Sequence, residues 1–321
     1  MRAFHRNLCA KRYLPWLVVA LLCFGLALSL RFGFRKRPPP PAFRLTARVL
    51  HYSFSLQNTT GRCIRKVVFQ AAAPVKRTAT QRCLRIESSH HFQLSCDRYG
   101  NQILHFKPLD FAPHAAKVIA IEVRLLISAR PAAGTVLSAD LTPEKYIECD
   151  RPAVRRLARR LKGRRPLESA QAIWRWVHGH IRFAGYRKRR RGAFLTLHQQ
   201  RGDCTGQADL FTALCRALHI PARSMAGYVC PQSSVLAPQQ YHNWSEFYTR
   251  GAWRLADPQG AVFCKRQSDY IAMRVVGRHD GQPAPEFDRF AVSDHRIAVR
   301  MNPPPLAAAG RRTWQVREIR A

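Results

Sequence analysis

Acidic side chains are scarce in this chain. Only 19 Asp and Glu stand against 54 Lys and Arg among 321 residues, a formal net charge of +35. The excess is mostly arginine, and an imbalance of this size calls for an anionic partner or for a heavily solvated basic surface. The basic runs lack the interleaved aromatics that stack on bases, so nucleic acid is not the expected partner. Anionic lipid or an acidic cell-envelope surface fits the charge better. A second shortage is in cysteine spacing. None of the 10 cysteines forms a CxxC pair, which argues against zinc ribbons and thioredoxin-like redox work. Ten cysteines are still many for a cytosolic protein, and an extracytoplasmic location would allow disulfides, with Cys230 and Cys264 one candidate pair. His178 and His180 sit two apart with no third ligand nearby, so no metal is expected, and nothing in the pattern calls for a cofactor. His90, His91 and His105 read as structural or surface histidines. No internal repeat is present, which excludes solenoids and propellers.

Long hydrophobic runs are also rare, with one exception. Leu14 to Leu30 is uncharged and largely apolar, at the lower limit for crossing a bilayer core of about 30 Å. Arg2, Arg6, Lys11 and Arg12 precede it and Arg35-Lys36-Arg37 follows. A cleaved signal peptide is the rival, with Ala27-Leu28-Ser29 as a weak cleavage site. Arg31 and the length of the run favour an uncleaved single-pass anchor over residues 1–37, with the lipid bilayer as its partner. The rest of the chain is then expected outside the cell membrane, in a periplasm if the cell is Gram-negative. Pro38 to Pro41 form a stiff extended spacer.

With 46% hydrophobic residues the chain can fill two cores. Phe43, Leu45, Ala47 and Val49 alternate, and Leu50, Tyr52, Phe54 and Leu56 then alternate in the opposite phase, which predicts a β-bulge or bend between them. Ile64 to Phe69 reads as a strand, residues 97–101 as a hairpin connection, and Ile119, Ile121, Val123, Leu125 and Ile127 alternate again. These short strands predict a β-sandwich over residues 42–140. It carries no evident chemistry.

Helical periodicity begins near Asp150, with Pro152 in the first turn. Val154, Leu157, Ala158 and Leu161 form one stripe, backed by Arg155, Arg156, Arg159 and Arg160, a solvated face or a rest for anionic lipid. Ala170, Ile173, Trp174 and Val177 predict a second helix. The basic loop Tyr186 to Arg191 is a candidate substrate contact. Residues 141–302 make the second domain, and 303–321 read as a loosely held tail.

The second domain is organised around Arg201-Gly202-Asp203-Cys204. Leu210, Phe211, Leu214, Cys215 and Leu218 recur at helical spacing, so Cys204 opens a buried helix. The free amides and the dipole at that end stabilise a thiolate. Tyr241 to Tyr248 places His242 at the start of a strand, and Ala252 to Pro258 reads as a second strand ending in Asp257. Neighbouring strands can hold His242 and Asp257 side by side facing Cys204, a nucleophile, base and orienter arrangement. Cys215, on the buried stripe, reads as core.

The order Cys204, His242, Asp257, with GDC opening a helix, YHNWSEFY on one strand and WRLADPQ on the next, resembles the transglutaminase-like superfamily. It is similar in particular to its bacterial branch of candidate cysteine proteases. The likeness runs over about half of the chain, from Glu144 to Met273, and Asn58 to Phe106 resembles the β-rich domain that precedes the catalytic domain in that branch. The resemblance implies an α+β, papain-like catalytic fold and an enzyme acting on peptide or carboxamide bonds through a thioester, with a peptide or protein as substrate. Hydrolysis is the simpler outcome and crosslinking the other. It also implies an oxyanion donor upstream of the cysteine, for which Gln199 and Gln200 are candidates beside the Cys204 amide. A non-catalytic envelope module binding peptide or glycan in the same groove is the alternative.

Overall fold

The alternating apolar residues of the first half build two facing sheets, and the helical stripes of the second half cover a third. The computed structural model describes residues 45–186, 190–276 and 289–304. The expected anchor Leu14 to Leu30, the spacer Pro38 to Pro41 and most of the tail from 303 lie outside the described residues. Among the described residues no helix is long and apolar enough to cross a membrane.

Six strands come first: β1 (Leu45–Asn58), β2 (Ile64–Ala73), β3 (Gln81–Ser88), β4 (Gln93–Cys96), β5 (Gln102–Phe111) and β6 (Ala116–Ser128). Helices α1 (Pro152–Arg160) and α2 (Pro166–His180) follow, then β7 (Arg182–Phe183), α3 (Ala193–Gln199), β8 (Arg201–Gly202) and α4 (Cys204–Ala217). The chain continues through β9 (Ala222–Val229), β10 (Ser234–Val235), β11 (Tyr241–Thr249), β12 (Ala252–Asp257) and β13 (Val262–Phe263). The strands β14 (Tyr270–Val275), β15 (Phe290–Val292) and β16 (Ile297–Met301) end the described chain.

The first sheet runs β10-β1-β6-β3, with β16 also on β1, and the second runs β15-β2-β5-β4. Their inner faces share one core in which Phe54 meets Phe69 at 5.3 Å between ring centroids. Each such fully buried side chain contributes about 1.5–3 kcal/mol. Three strands come from outside the expected sandwich range of 42–140. β10, β15 and β16 belong by sequence to the 141–302 segment, yet they pair with β1 and β2. Sheet pairing therefore cuts across the 140/141 boundary read from the sequence.

The expected bulge in β1 is absent. Its register with β6 is unbroken from Leu45↔Ser128 to Gln57↔Ala116. The inward phase extends back from Leu50 through Arg48, not Val49. Arg48 is buried with its terminal nitrogens engaged: it donates to the carbonyls of Ser268, at 2.7 Å, and Cys230, and Asp269 lies 3.8 Å away, while Nε has no partner. A charged residue in an inward position had disguised the alternation.

The third sheet, β13-β12-β11-β9-β14, lies between the helices and the sandwich. Phe247, Ala222 and Ala256 pack with the helices, whereas Tyr228, Ile271 and Met273 join the sandwich core. On the sandwich side Gly227 lets β14 approach, since a Cβ there would fall 2.0 Å from the Ile271 carbonyl oxygen. α4 is central. Of its predicted apolar stripe Leu210, Phe211, Leu214 and Cys215 are buried while Leu218 is a half-buried cap beyond its end, and Asp209, Thr212 and Arg216 are buried too. Asp209 takes two bonds from Arg190, at 2.8 and 2.5 Å, and one from Ser224 at 3.1 Å. Arg216 donates to Glu144 Oε1 at 2.5 Å and to the carbonyls of Thr142 and Ala222, both at 2.8 Å. By contrast the four arginines of α1 are all exposed.

Candidate active site

Asp203 starts α4. It has extended backbone geometry and its side chain accepts from the Gly206 amide at 2.9 Å, the role that favours Asp at such positions. Cys204 is the first helical residue, and its amide and that of Thr205 are among the donors a helix start leaves without intrahelical partners. Cys204 is only 5% exposed. Its Sγ lies 3.7 Å from Asn243 Oδ1.

β11 and β12 are adjacent and antiparallel, and this brings His242 and Asp257 together. Nε2 of His242 is 2.7 Å from Oδ2 of Asp257. That leaves Nδ1 as the ring nitrogen for the thiol. Burial by itself pushes the imidazole down, but hydrogen bonds to Asp257 and Cys204 outweigh it and push His242 up to about 9. The ring is therefore protonated at neutral pH.

Asp257 is 1% exposed and densely bonded. Tyr270 Oη donates to Oδ2 at 2.8 Å, and the Gly260 amide donates to Oδ1 at 2.8 Å. Position 260 must be glycine, because a Cβ there would sit 2.3 Å from Oδ2. Trp174 Nε1 holds the Asp257 carbonyl at 3.1 Å, and His178 Nδ1 is 2.8 Å from the Pro258 carbonyl. Burial first, and Asp257 second, push the Tyr270 phenol well above its usual range, so it remains a donor.

The structure thus gathers Cys204, His242 and Asp257 and adds two residues that the sequence reading did not single out, Tyr270 and Asn243. Asn243 had a usable signal, being a polar residue in phase with the inward Ser245 and Phe247 of its strand. Tyr270 had none, since only the folded chain brings its hydroxyl to Asp257. Gln199 ends α3 and Gln200 caps it. They line a surface cavity of about 470 Å³ with Arg182, Phe183 and Arg201, and Gln199 Oε1 accepts from Arg191 at 2.5 Å. In the basic loop, residues 187–189 lie outside the described residues, while Arg190 turns inward to Asp209 rather than out to a substrate. His178 and His180 fall on α2, where residues two apart face different directions, not on a strand. Among the described residues no group of three or more His, Cys, Asp or Glu could hold a metal ion. Cys230 and Cys264 are free thiols, as are the other described cysteines, so the candidate disulfide is not formed. Cys215 is fully buried, and burial pushes its thiol far up.

Comparison with known proteins agrees with this geometry. Residues 155–258 match the model of the transglutaminase-like superfamily. A stretch of 100 residues is 30% identical to kyphoscoliosis peptidase of Homo sapiens, covering 28% of this chain and 15% of that protein, and the Mus musculus protein matches to the same extent. The chain thus spans about 15% of the length of these curated relatives. The solved structure of a candidate cysteine protease from Cytophaga hutchinsonii superposes with a TM-score of 0.51 at 16% identity, covering 82% of this chain and 93% of that one. That likeness concerns the fold alone. The chain carries a transglutaminase-like domain over residues 155–258, and Cys204, His242 and Asp257 all lie within it.

Proposed function

We propose that the chain is a cysteine enzyme that cleaves peptide or carboxamide bonds through a thioester, with Cys204 as nucleophile, His242 as acid and base, and Asp257 as the group that orients the histidine. The observation that carries this reading is the 2.7 Å contact between His242 Nε2 and Asp257, made by an imidazole whose charged form the Cys204 side chain also favours. The name of the human relative, a peptidase, points the same way.

The thiolate of Cys204 attacks the carbonyl carbon, forming a C–S bond and a tetrahedral oxyanion. The oxyanion collapses, the C–N bond breaks, and the His242 imidazolium gives its proton to the leaving amine. The neutral imidazole then takes a proton from water, whose oxygen attacks the thioester. Collapse of this second intermediate releases the acid and returns the sulfur. Asp257 accepts the Nε2 hydrogen bond throughout, which fixes the ring and favours its charged form. An amine in place of water would give crosslinking.

Modification with iodoacetamide followed by peptide mapping tests the assignment. Cys204 is the expected site, with slower labelling in Asp257→Asn. Modification that is confined to another cysteine in the folded protein refutes the reading.

The same reading takes 141–302 as the enzymatic segment, 42–140 as its supporting sandwich, and Leu14 to Leu30 as a single-pass anchor holding both outside the cell membrane. The apolar run, its basic flanks and the proline spacer support that placement. Alkaline phosphatase fused after Ala321 is then active, since that reporter needs an oxidising compartment. An inactive fusion, paired with an active cytosolic reporter at the same point, refutes the placement.

A further inference from the structure

Side chains alternate in direction along a strand, and on β11 one parity faces α4. Ser245 Oγ donates to the Ala208 carbonyl at 2.8 Å, and Phe247 meets Phe211 at 5.9 Å between centroids. Asn243 shares that parity and sits opposite the first turn of the helix, where its Oδ1 lies 3.7 Å from Cys204 Sγ. A primary amide is two-faced. As placed, Oδ1 can accept from a neutral thiol, and a half-turn of the amide presents Nδ2–H instead. Once the sulfur is negative, a carbonyl oxygen facing it is repelled and the N–H orientation is favoured.

We propose that the side-chain amide of Asn243 donates to the oxyanion formed when Cys204 attacks a carbonyl, acting together with the Cys204 backbone amide. An oxygen two bonds away from Sγ can lie to one side of the 3.7 Å line between Sγ and Asn243 and still come within the ~2.7–3.1 Å that such donors need. Of the upstream glutamines, Gln199 accepts from Arg191 through Oε1, and both line the cavity beside Arg182 and Arg201, whose lining includes neither Cys204 nor Asn243. The proposal rests on Cys204 being the nucleophile, and its test separates the two.

Two probes differ in one respect. Iodoacetamide alkylates the sulfur by displacing iodide and forms no oxyanion. p-Nitrophenyl acetate acylates it through a tetrahedral oxyanion that collapses with loss of p-nitrophenolate. In the full chain, with the Cys204→Ala rate subtracted, Asn243→Ala should slow acylation by about 10²-fold, as loss of one oxyanion donor does, while alkylation changes by less than about threefold. Asn243→Asp keeps the size of the side chain but has no N–H, and its ratio of acylation to alkylation should fall likewise. An alkylation rate near wild type reports that the variant site is folded. An unchanged ratio in both variants overturns the role of Asn243. Failure of iodoacetamide to modify Cys204 in the wild type overturns the nucleophile, and the Asn243 proposal with it.

Discussion

The two ends of α4 carry the same functional group in opposite circumstances. At the N-terminal end Cys204 faces Asn243 and a protonated His242, with free amides and the positive end of the helix dipole behind it. At the C-terminal end Cys215 is fully buried among Leu214, Ile220 and Ala222. There the chain turns back through a left-handed His219, whose amide bonds the Arg216 carbonyl at 2.9 Å, while Ile220 bonds that of Cys215 at 3.0 Å. One thiol lies beside a charged imidazole at a helix start, and the other is buried where its charged form is disfavoured. Reactivity here belongs to position along the helix more than to the residue type.

The sharpest way to break that contrast is to remove each sulfur in turn. Cys204→Ala should abolish both covalent labelling and turnover, whereas Cys215→Ala should leave both in place. A dead but well-folded Cys215→Ala beside a fully active Cys204→Ala would reverse the assignment. His242→Ala should strip the N-terminal end of its advantage, lowering turnover at neutral pH by about 10²–10⁴-fold. Labelling of Cys204 should partly recover as pH rises, and a rate-versus-pH series measures this. Between the two ends, Arg190→Ala would leave the buried Asp209 carboxylate without its guanidinium. Burial already pushes that carboxyl up against the pull of Arg190. The loss should cost about 3–5 kcal/mol in a urea melt.

The charge on His242 should also be visible in stability. Its folded value of about 9 lies above the ordinary 6.5, so the folded state binds the proton more tightly. The contribution, up to ~3 kcal/mol, is fully present below pH 6.5 and is lost as pH rises through about 9. Urea melts of wild type and His242→Gln across that window should converge at the alkaline end. The smallest effect belongs to the buried end: Cys215→Ala should cost about 1–2 kcal/mol, the sum of lost apolar burial and a small cavity.

What could be read beforehand follows from which interactions are local. The cap Asp203, the helix from Cys204, and the strands carrying His242 and Asp257 are encoded by periodicity and turn chemistry within a few residues. The inward phase of β1 was obscured at Arg48, whose burial depends on Ser268 and Asp269 far along the chain. The polar side of α4 was equally opaque, because Asp209 and Arg216 read as solvent-facing until Arg190 and Glu144 close on them. Tyr270 reaches Asp257 through its side chain alone, since β11 and β9 stand between β12 and β14 in the third sheet. In each case a polar residue was buried by a partner distant in sequence, and a local pattern cannot register that.

The strand pairing of β1 has a bearing on biogenesis. One edge of this strand is covered along its length by β6, which leaves the ribosome soon after it. The other edge receives β10 at Leu50 and His51, then β16 from Phe54 to Asn58. During synthesis the sandwich therefore waits, with part of β1 unpaired, until nearly all of the described chain has emerged. Open strand edges are sticky, and pairings this far apart in sequence close slowly. The transglutaminase-like residues 155–258 are thus translated in the interval when the sandwich is least protected, and β16 then closes the remaining edge of β1.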